Sequence, residues 1–165
     1  MNLDLTDIQG NILRAYGFPF ARYVFLNFTS QQQGMKFLEA VIPHITNSEI
    51  WLEEKPSSTL NIGLSRSALT ELNVPTASIN SFPVEFLNGM ADRAKALGDV
   101  ADSAPANWDD VWQGRVDLWI SINALTEEDR ETKFKILEDL IAQTNGAEIL
   151  AFQNSNALTI NGAPS

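Results

Sequence analysis

The run Val116–Asn123 (VDLWISIN) alternates strictly, with Val116, Leu118, Ile120 and Ile122 set against Asp117, Trp119, Ser121 and Asn123. A period of two marks a strand with one apolar face. A segment of helical period follows it directly. Thr126 with Asp129 three residues on resembles a capping box with Asp in place of the usual Glu. It opens a helix that runs to about Thr144, with Phe134, Leu137 and Ile141 as its buried stripe, broadened by Leu140. Asn145-Gly146 supplies a left-handed stop, and Ala147 to Gln153 reads as another strand.

The first half of the chain repeats this order. Ala21–Thr29 (ARYVFLNFT) is a strand rich in β-branched and aromatic residues, and Ser30 opens a helix to about Ile42. Met35, Leu38 and Ile42 are expected on its inner face, with Val41 and Ile45 beside them, and Pro43 marks its end. Thr59–Leu64 (TLNIGL) alternates as a second strand. A short helix from Ser65 through Leu72 follows, then a loop rich in Ser, Thr and Asn. From Phe82-Pro83 to Leu97 the pattern is helical, weakened in the middle by Asn88-Gly89. Gly98-Asp99 stops it, and an irregular insertion carries Pro105, Trp108 and Trp112. That insertion is too long to be a mere connection, so it is expected to pack over something.

The order β-α-β-β-α-β predicts an α+β, ferredoxin-like sandwich, both main helices covering one face of a four-stranded antiparallel sheet. A single domain over residues 1–165 is expected, with a lead segment 1–20, an insertion 98–115 and a tail 154–165. A chain of 165 residues hides roughly 70% of its unfolded surface and needs no staple to fold. The absence of cysteine excludes thiolate metal sites, catalytic thiols and disulfides. A net charge of −10 repels phosphate backbones and anionic lipid, so neither nucleic acid nor a membrane is expected as a partner. No apolar run approaches the ~18 residues of a membrane helix, and the acidic start lacks the order of a signal peptide. The expected location is cytoplasmic.

If Val116, Leu118, Ile120 and Ile122 meet the helices, then Asp117, Trp119, Ser121 and Asn123 lie on the far face of the sheet. In the first strand, Val24, Leu26 and Phe28 share one face, and Tyr23, Phe25 and Asn27 the other. A bare sheet face with large apolar groups is a docking surface. Phe25 and Trp119 are its candidate interface residues. The competing expectation is that the insertion or the tail folds over that face.

Side chains able to do chemistry are few. His44 is the only histidine, which rules out a catalytic triad or a multi-histidine metal site within one chain. It sits beside Pro43, where a surface or capping role is expected. There is no dinucleotide or phosphate-loop motif. Carboxylates cluster at Glu53-Glu54, Asp109-Asp110 and Glu127-Glu128-Asp129, the last suited to a helix N-terminus. Asn27-Phe28-Thr29 matches a glycosylation sequon, but its place inside a strand points to coincidence.

Several blocks, in order, carry a resemblance: Asp7-Ile8-Gln9-Gly10-Asn11-Ile12-Leu13; Ala21 to Leu26; Leu60-Asn61-Ile62-Gly63-Leu64-Ser65 with Ala68-Leu69 and Leu72. They continue with Phe82-Pro83, Gly89-Met90-Ala91, Arg93-Ala94 and Leu97-Gly98-Asp99, and end with Ser103-Ala104-Pro105 and Asn107-Trp108-Asp109. Together they resemble the N-terminal half of dye-decolorizing (DyP-type) heme peroxidases. That resemblance implies a ferredoxin-like unit of the dimeric α+β barrel superfamily, and heme b as the family cofactor. The family's distal Asp lies in a Gly-x-x-Asp-Gly motif, and no Asp-Gly pair occurs in this sequence. The proximal His and distal Arg belong to the family's second half, and His44 does not match its heme ligand. No catalytic, cofactor-binding or metal residue is therefore carried over, and no cofactor is expected for the chain alone.

Three functions follow as expectations. The first is a non-catalytic domain that forms a homo-oligomer, or caps a partner, through the open sheet face. The second is one half of a split heme peroxidase, completed by a second polypeptide. The third is a heme-free binder or enzyme with a pocket lined by far-face residues such as Asn27, Asn61, Ser121 and Asn123.

Overall fold

Four strands pair in the order β2-β3-β1-β4, all antiparallel: β1 Phe20–Phe28, β2 Ser58–Leu64, β3 Leu118–Ala124 and β4 Ala147–Asn156. The computed structural model describes residues 3–52, 54–160 and 163–164. Among the described residues, eight α-helices lie between or before the strands: α1 Gly10–Leu13, α2 Gln31–Val41, α3 Arg66–Glu71, α4 Thr76–Ile79, α5 Val84–Asp92, α6 Ala94–Leu97, α7 Asp110–Gln113 and α8 Glu127–Thr144. A short ribbon of β5 Thr159–Ile160 and β6 Ala163–Pro164 follows. The β-α-β-β-α-β order and the strand order are those of the predicted ferredoxin-like sandwich. α2 and α8 pack on one face of the sheet.

The core lies between that face and the two helices. Val24, Leu26 and Phe28 of β1, Leu60 of β2 and Leu118, Ile120 and Ile122 of β3 meet Phe37 and Val41 of α2 and Phe134 and Leu137 of α8. The stripe expected on α2 needs correction. Met35 and Ile42 are exposed, and the buried positions are Gly34, Phe37 and Val41. Gly34 explains the rotation: a Cβ there would lie 2.8 Å from the Phe28 ring, so its absence lets the helix settle flat on β1. Ser30 caps α2, its hydroxyl accepting from Gln33 N at 3.3 Å.

At the start of α8 the Thr126 hydroxyl accepts from Asp129 N at 3.1 Å and donates to the Asp129 carboxylate at 2.6 Å, the expected box. The helix ends at Asn145, which sits left-handed at φ 49°. Two features departed from the pattern. α4 forms inside the loop rich in Ser and Thr, and β4 runs on to Asn156, into the segment expected as tail.

The helix face also buries charge. Arg22, 5% exposed, donates to both oxygens of Glu131 at 2.8 Å and lies between the Phe134 and Phe152 rings, 4.3 and 4.6 Å from their centres. Arg130, 6% exposed, donates to the same carboxylate at 3.0 Å. Partial burial pushes the Glu131 carboxyl up, but its bonds to Arg22 and Arg130 outweigh this and hold it below the usual glutamate range. Glu131→Gln is expected to cost about 1–2 kcal/mol, the low end for a buried charge losing its partner, because water reaches that carboxylate. A carboxyl with a lowered folded pKa stabilises fully above its unfolded value of about 4.3 and loses that contribution as pH falls through the folded value. Urea titrations between neutral pH and pH 3 are expected to show the gap between wild type and variant closing on acidification.

Candidate functional site

The opposite face of the sheet carries the candidate surface, and its two flanks are built differently. By alternation and register it presents Thr59, Asn61 and Gly63 from β2, Trp119, Ser121 and Asn123 from β3, Ala21, Tyr23, Phe25 and Asn27 from β1, and Ala151 and Gln153 from β4. On the β2 side the lead segment closes it. The Tyr16 hydroxyl donates to Asn61 Oδ1 at 2.7 Å, and Asn61 Nδ2 donates to the Thr46 carbonyl at 2.9 Å. Burial raises the Tyr16 phenol above its ordinary pKa, opposed by the Asn61 bond and the Arg14 charge. Gln9 acts as a substitute strand at the sheet edge: its amide accepts from Ile62 N at 2.8 Å and donates to Ile62 O at 3.0 Å. Thr59, Asn61 and Ser121 are buried on this side.

Toward the middle the surface is aromatic and half-buried. Trp119 stacks on Tyr23, with ring centres 6.1 Å apart and planes 17° apart. Its ring also lies over Gly63, where a Cβ would come within 3.2 Å. Phe25 meets the edge of Trp112 at 4.5 Å and 89°. Trp112 belongs to α7, so the insertion does lean on the sheet, but only at the Phe25 end. Toward β4, Gln153 and Ser155 are exposed. Phe25 and Trp119 therefore share one face, both half-covered from within the chain.

Asp117 departs from the expected arrangement. It is fully buried rather than open to solvent, and lies just before β3. Its carboxylate accepts from Phe28 N at 3.0 Å and from the Ser67 hydroxyl at 2.9 Å, and Arg115 stands 3.1 Å away. Its own N–H donates to Leu26 O at 3.0 Å and contacts the Asn27 side-chain oxygen at 3.2 Å. One side chain thus joins the end of β1, α3 and the entry to β3. Nothing in the sequence pattern marked it except a carboxylate flanked by Val116 and Leu118.

The other chemistry-bearing residues remain apart. His44 ends a 3-10 turn, Ile42–His44, half-buried. No group of three His, Asp or Glu among the described residues is placed to hold a metal ion. Glu53 lies outside the described residues. Asn27 and Asn61 are engaged in the hydrogen bonds just given. A cleft of about 690 Å³ is lined instead by Gln31, Arg66, Ser67, Thr70, Glu71, Asn73 and Arg115. None of the described helices is long and apolar enough to cross a membrane.

This architecture has close structural counterparts. A DyP-type peroxidase from Anabaena sp. superposes with a TM-score of 0.81 at 21% identity, over 95% of this chain and 36% of that one. A decolorizing peroxidase from Auricularia auricula-judae gives 0.79 at 19%, over 98% and 35%. DyP2 from Amycolatopsis sp. gives 0.80 at 19%, over 95% and 34%. Another of the similar structures is a dye-decolorizing peroxidase with an engineered heme pocket. The chain thus spans about a third of the length of the solved structures it matches. No curated protein matches its sequence. The family described as the DyP dimeric alpha+beta barrel domain matches residues 7–156. By that match over most of its length, the chain belongs to the family of N-terminal α+β barrel domains of DyP-type peroxidases.

Proposed function

We propose that this domain is the structural half of a two-sheet α+β barrel, and that its aromatic sheet face packs against a second sheet of the same kind. When the chain is alone, that second sheet is another copy of itself. The observation that carries this reading is the half-buried set Tyr23, Phe25 and Trp119 on the face that neither α2 nor α8 covers. Large aromatics at the centre of a patch, beside an Asn61 amide already engaged by Tyr16 and Thr46, have the makeup of an interface core.

The donors of this chain do not suit heme, the cofactor the family implies. Heme iron takes His, Cys, Met or Tyr as its axial ligand. Cysteine is absent, His44 lines none of the clefts described for this chain, and Met35 and Met90 are exposed on the surface, Met90 at the rim of an open cleft. The Tyr16 phenol is committed to Asn61 and disfavours its ionised form. This donor set supports the reading that the domain supplies the wall of a barrel and that peroxide chemistry is carried elsewhere. A second reading is that another polypeptide completes a heme peroxidase, the class of the solved structures this fold resembles.

Light scattering on the purified chain is expected to show a dimer. Replacing Phe25 and Trp119 together by Ser is expected to weaken it about a hundredfold, the size of a lost hot-spot pair. A clean monomer at high concentration overturns the self-pairing. Hemin titration of the lone chain is expected to give no defined Soret band, and a tight Soret complex overturns the non-catalytic assignment. A Soret band that forms only on adding a polypeptide equivalent to the relatives' remaining length supports the split enzyme.

A further inference from the structure

We propose that Asn88 is a site of spontaneous deamidation and isoaspartate formation, and that the fold itself protects the chemically equivalent Asn145. Both precede glycine, the neighbour that least hinders attack on the asparagine side chain. In that reaction the glycine backbone nitrogen, its proton taken by solvent base, bonds to the asparagine Cγ. The Cγ–Nδ2 bond breaks and ammonia leaves. Water then opens the resulting succinimide at either carbonyl, giving aspartate or isoaspartate. One water enters, one ammonia departs, and nothing is oxidised or reduced.

The nucleophile is the glycine nitrogen, so its surroundings decide the rate. Gly146 is buried, and its N–H is held by the Thr144 hydroxyl at 3.2 Å. The carbonyls on either side of that nitrogen are tied down as well. Asn145 O accepts from the Thr29 hydroxyl at 2.6 Å, and Gly146 O accepts from Thr29 N at 3.2 Å. A Cβ on Gly146 would lie 2.5 Å from Phe37 Cβ, so the peptide has no room to swing. Succinimide closure there requires α2, α8 and β4 to part.

Asn88 and Gly89 are both exposed. They sit where α5 kinks, with Gly89 at φ 72° and nothing within 4 Å of the position a Cβ would take. No residue of α5 is buried, so opening it around the kink breaks no contact of the buried core, only surface bonds such as that from Arg66 to Leu87 O at 2.6 Å. The product has a ready setting. Asn88 lines a cleft of about 510 Å³ together with Arg66, Arg93 and Glu85, so two cations and one carboxylate surround the new charge. The isoaspartyl form also adds one atom to the main chain at the kink.

Peptide mapping by mass spectrometry, on chain incubated at neutral pH in native buffer and in denaturant, tests this. In denaturant both asparagines are expected to convert at similar rates. In native buffer Asn88 is expected to keep its denatured rate to within about tenfold, while Asn145 slows by more than about a hundredfold. Enzymatic methylation of isoaspartyl carboxylates is expected to label the Asn88 peptide, and Asn88→Gln to abolish that label. Native conversion of Asn145 at a rate equal to that of Asn88, or equal protection of both, overturns the proposal. Asn161-Gly162 lies outside the described residues and falls in its own peptide.

Discussion

Replacing Asp117 by Ala is expected to destabilise the domain by about 3–5 kcal/mol, the cost of breaking a buried charge pair from one side. The carboxylate is fully buried, and removing it strips three donors at once: Phe28 N, the Ser67 hydroxyl and the Arg115 guanidinium. Arg115 is 43% exposed and keeps Glu71 at 3.0 Å, so water and that carboxylate rescue it. The Phe28 N–H has no such recourse, because its residue is 3% exposed and closes the core. Asp117→Asn tests the assignment further. It keeps one acceptor but turns a donor toward groups that are donors themselves, so it is expected to recover less than half of the loss. Urea unfolding followed by circular dichroism reads both variants, and a change below about 1 kcal/mol for Asp117→Ala removes the carboxylate's role as a three-way tie.

Gly146→Ala is expected to cost about 3 kcal/mol, the upper range of core overpacking. The added methyl would stand 2.5 Å from Phe37 Cβ and closer still to the Gln33 carbonyl oxygen. Neither obstacle is the flexible end of a side chain. Relief requires α2 to lift from the junction of α8 and β4, which opens the core around Phe37, itself wholly buried. A matched control is Gly114→Ala, where a Cβ meets nothing within 4 Å and stability is expected to change by less than about 0.5 kcal/mol. Equal effects at the two glycines would show that propensity, not space, governs.

The strands were legible because their physics is local. A period of two in Leu118, Ile120 and Ile122, and in Val24, Leu26 and Phe28, needs no knowledge of neighbours to name the buried face. The Thr126–Asp129 box and the Asn145 stop are likewise short-range devices and fell where expected. The inner face of α2 was misread because glycine does not count as apolar. Gly34 is a contact residue through what it lacks, and it turns the helix so that Phe37 goes inward and Met35 outward.

Parity was silent on the burial of Asp117. Alternation assigned it to the open face; the strand begins one residue later, and the carboxylate bonds a backbone group 89 residues away in sequence. The aromatic surface was visible through Trp119 and Phe25, but the covering of its β2 side was not. Gln9 and Tyr16 lie in a segment without periodicity, and their partners Ile62 and Asn61 are 53 and 45 residues distant. The one local hint was Gly10, where a Cβ would strike the Asn47 carbonyl at 2.7 Å.

The Gln9 amide has an effect on how such molecules can aggregate. With one border of the sheet occupied by a side chain, hydrogen-bonded growth from copy to copy has a single direction left, along β4, which pairs only with β1 among the described strands. A building block with one sticky border joins one neighbour through a two-fold axis and then stops. Thr46 holds the same border, its N–H donating to Leu60 O at 2.8 Å and its hydroxyl accepting from Leu60 N at 3.2 Å, so two residues of different segments share the task of stopping growth there.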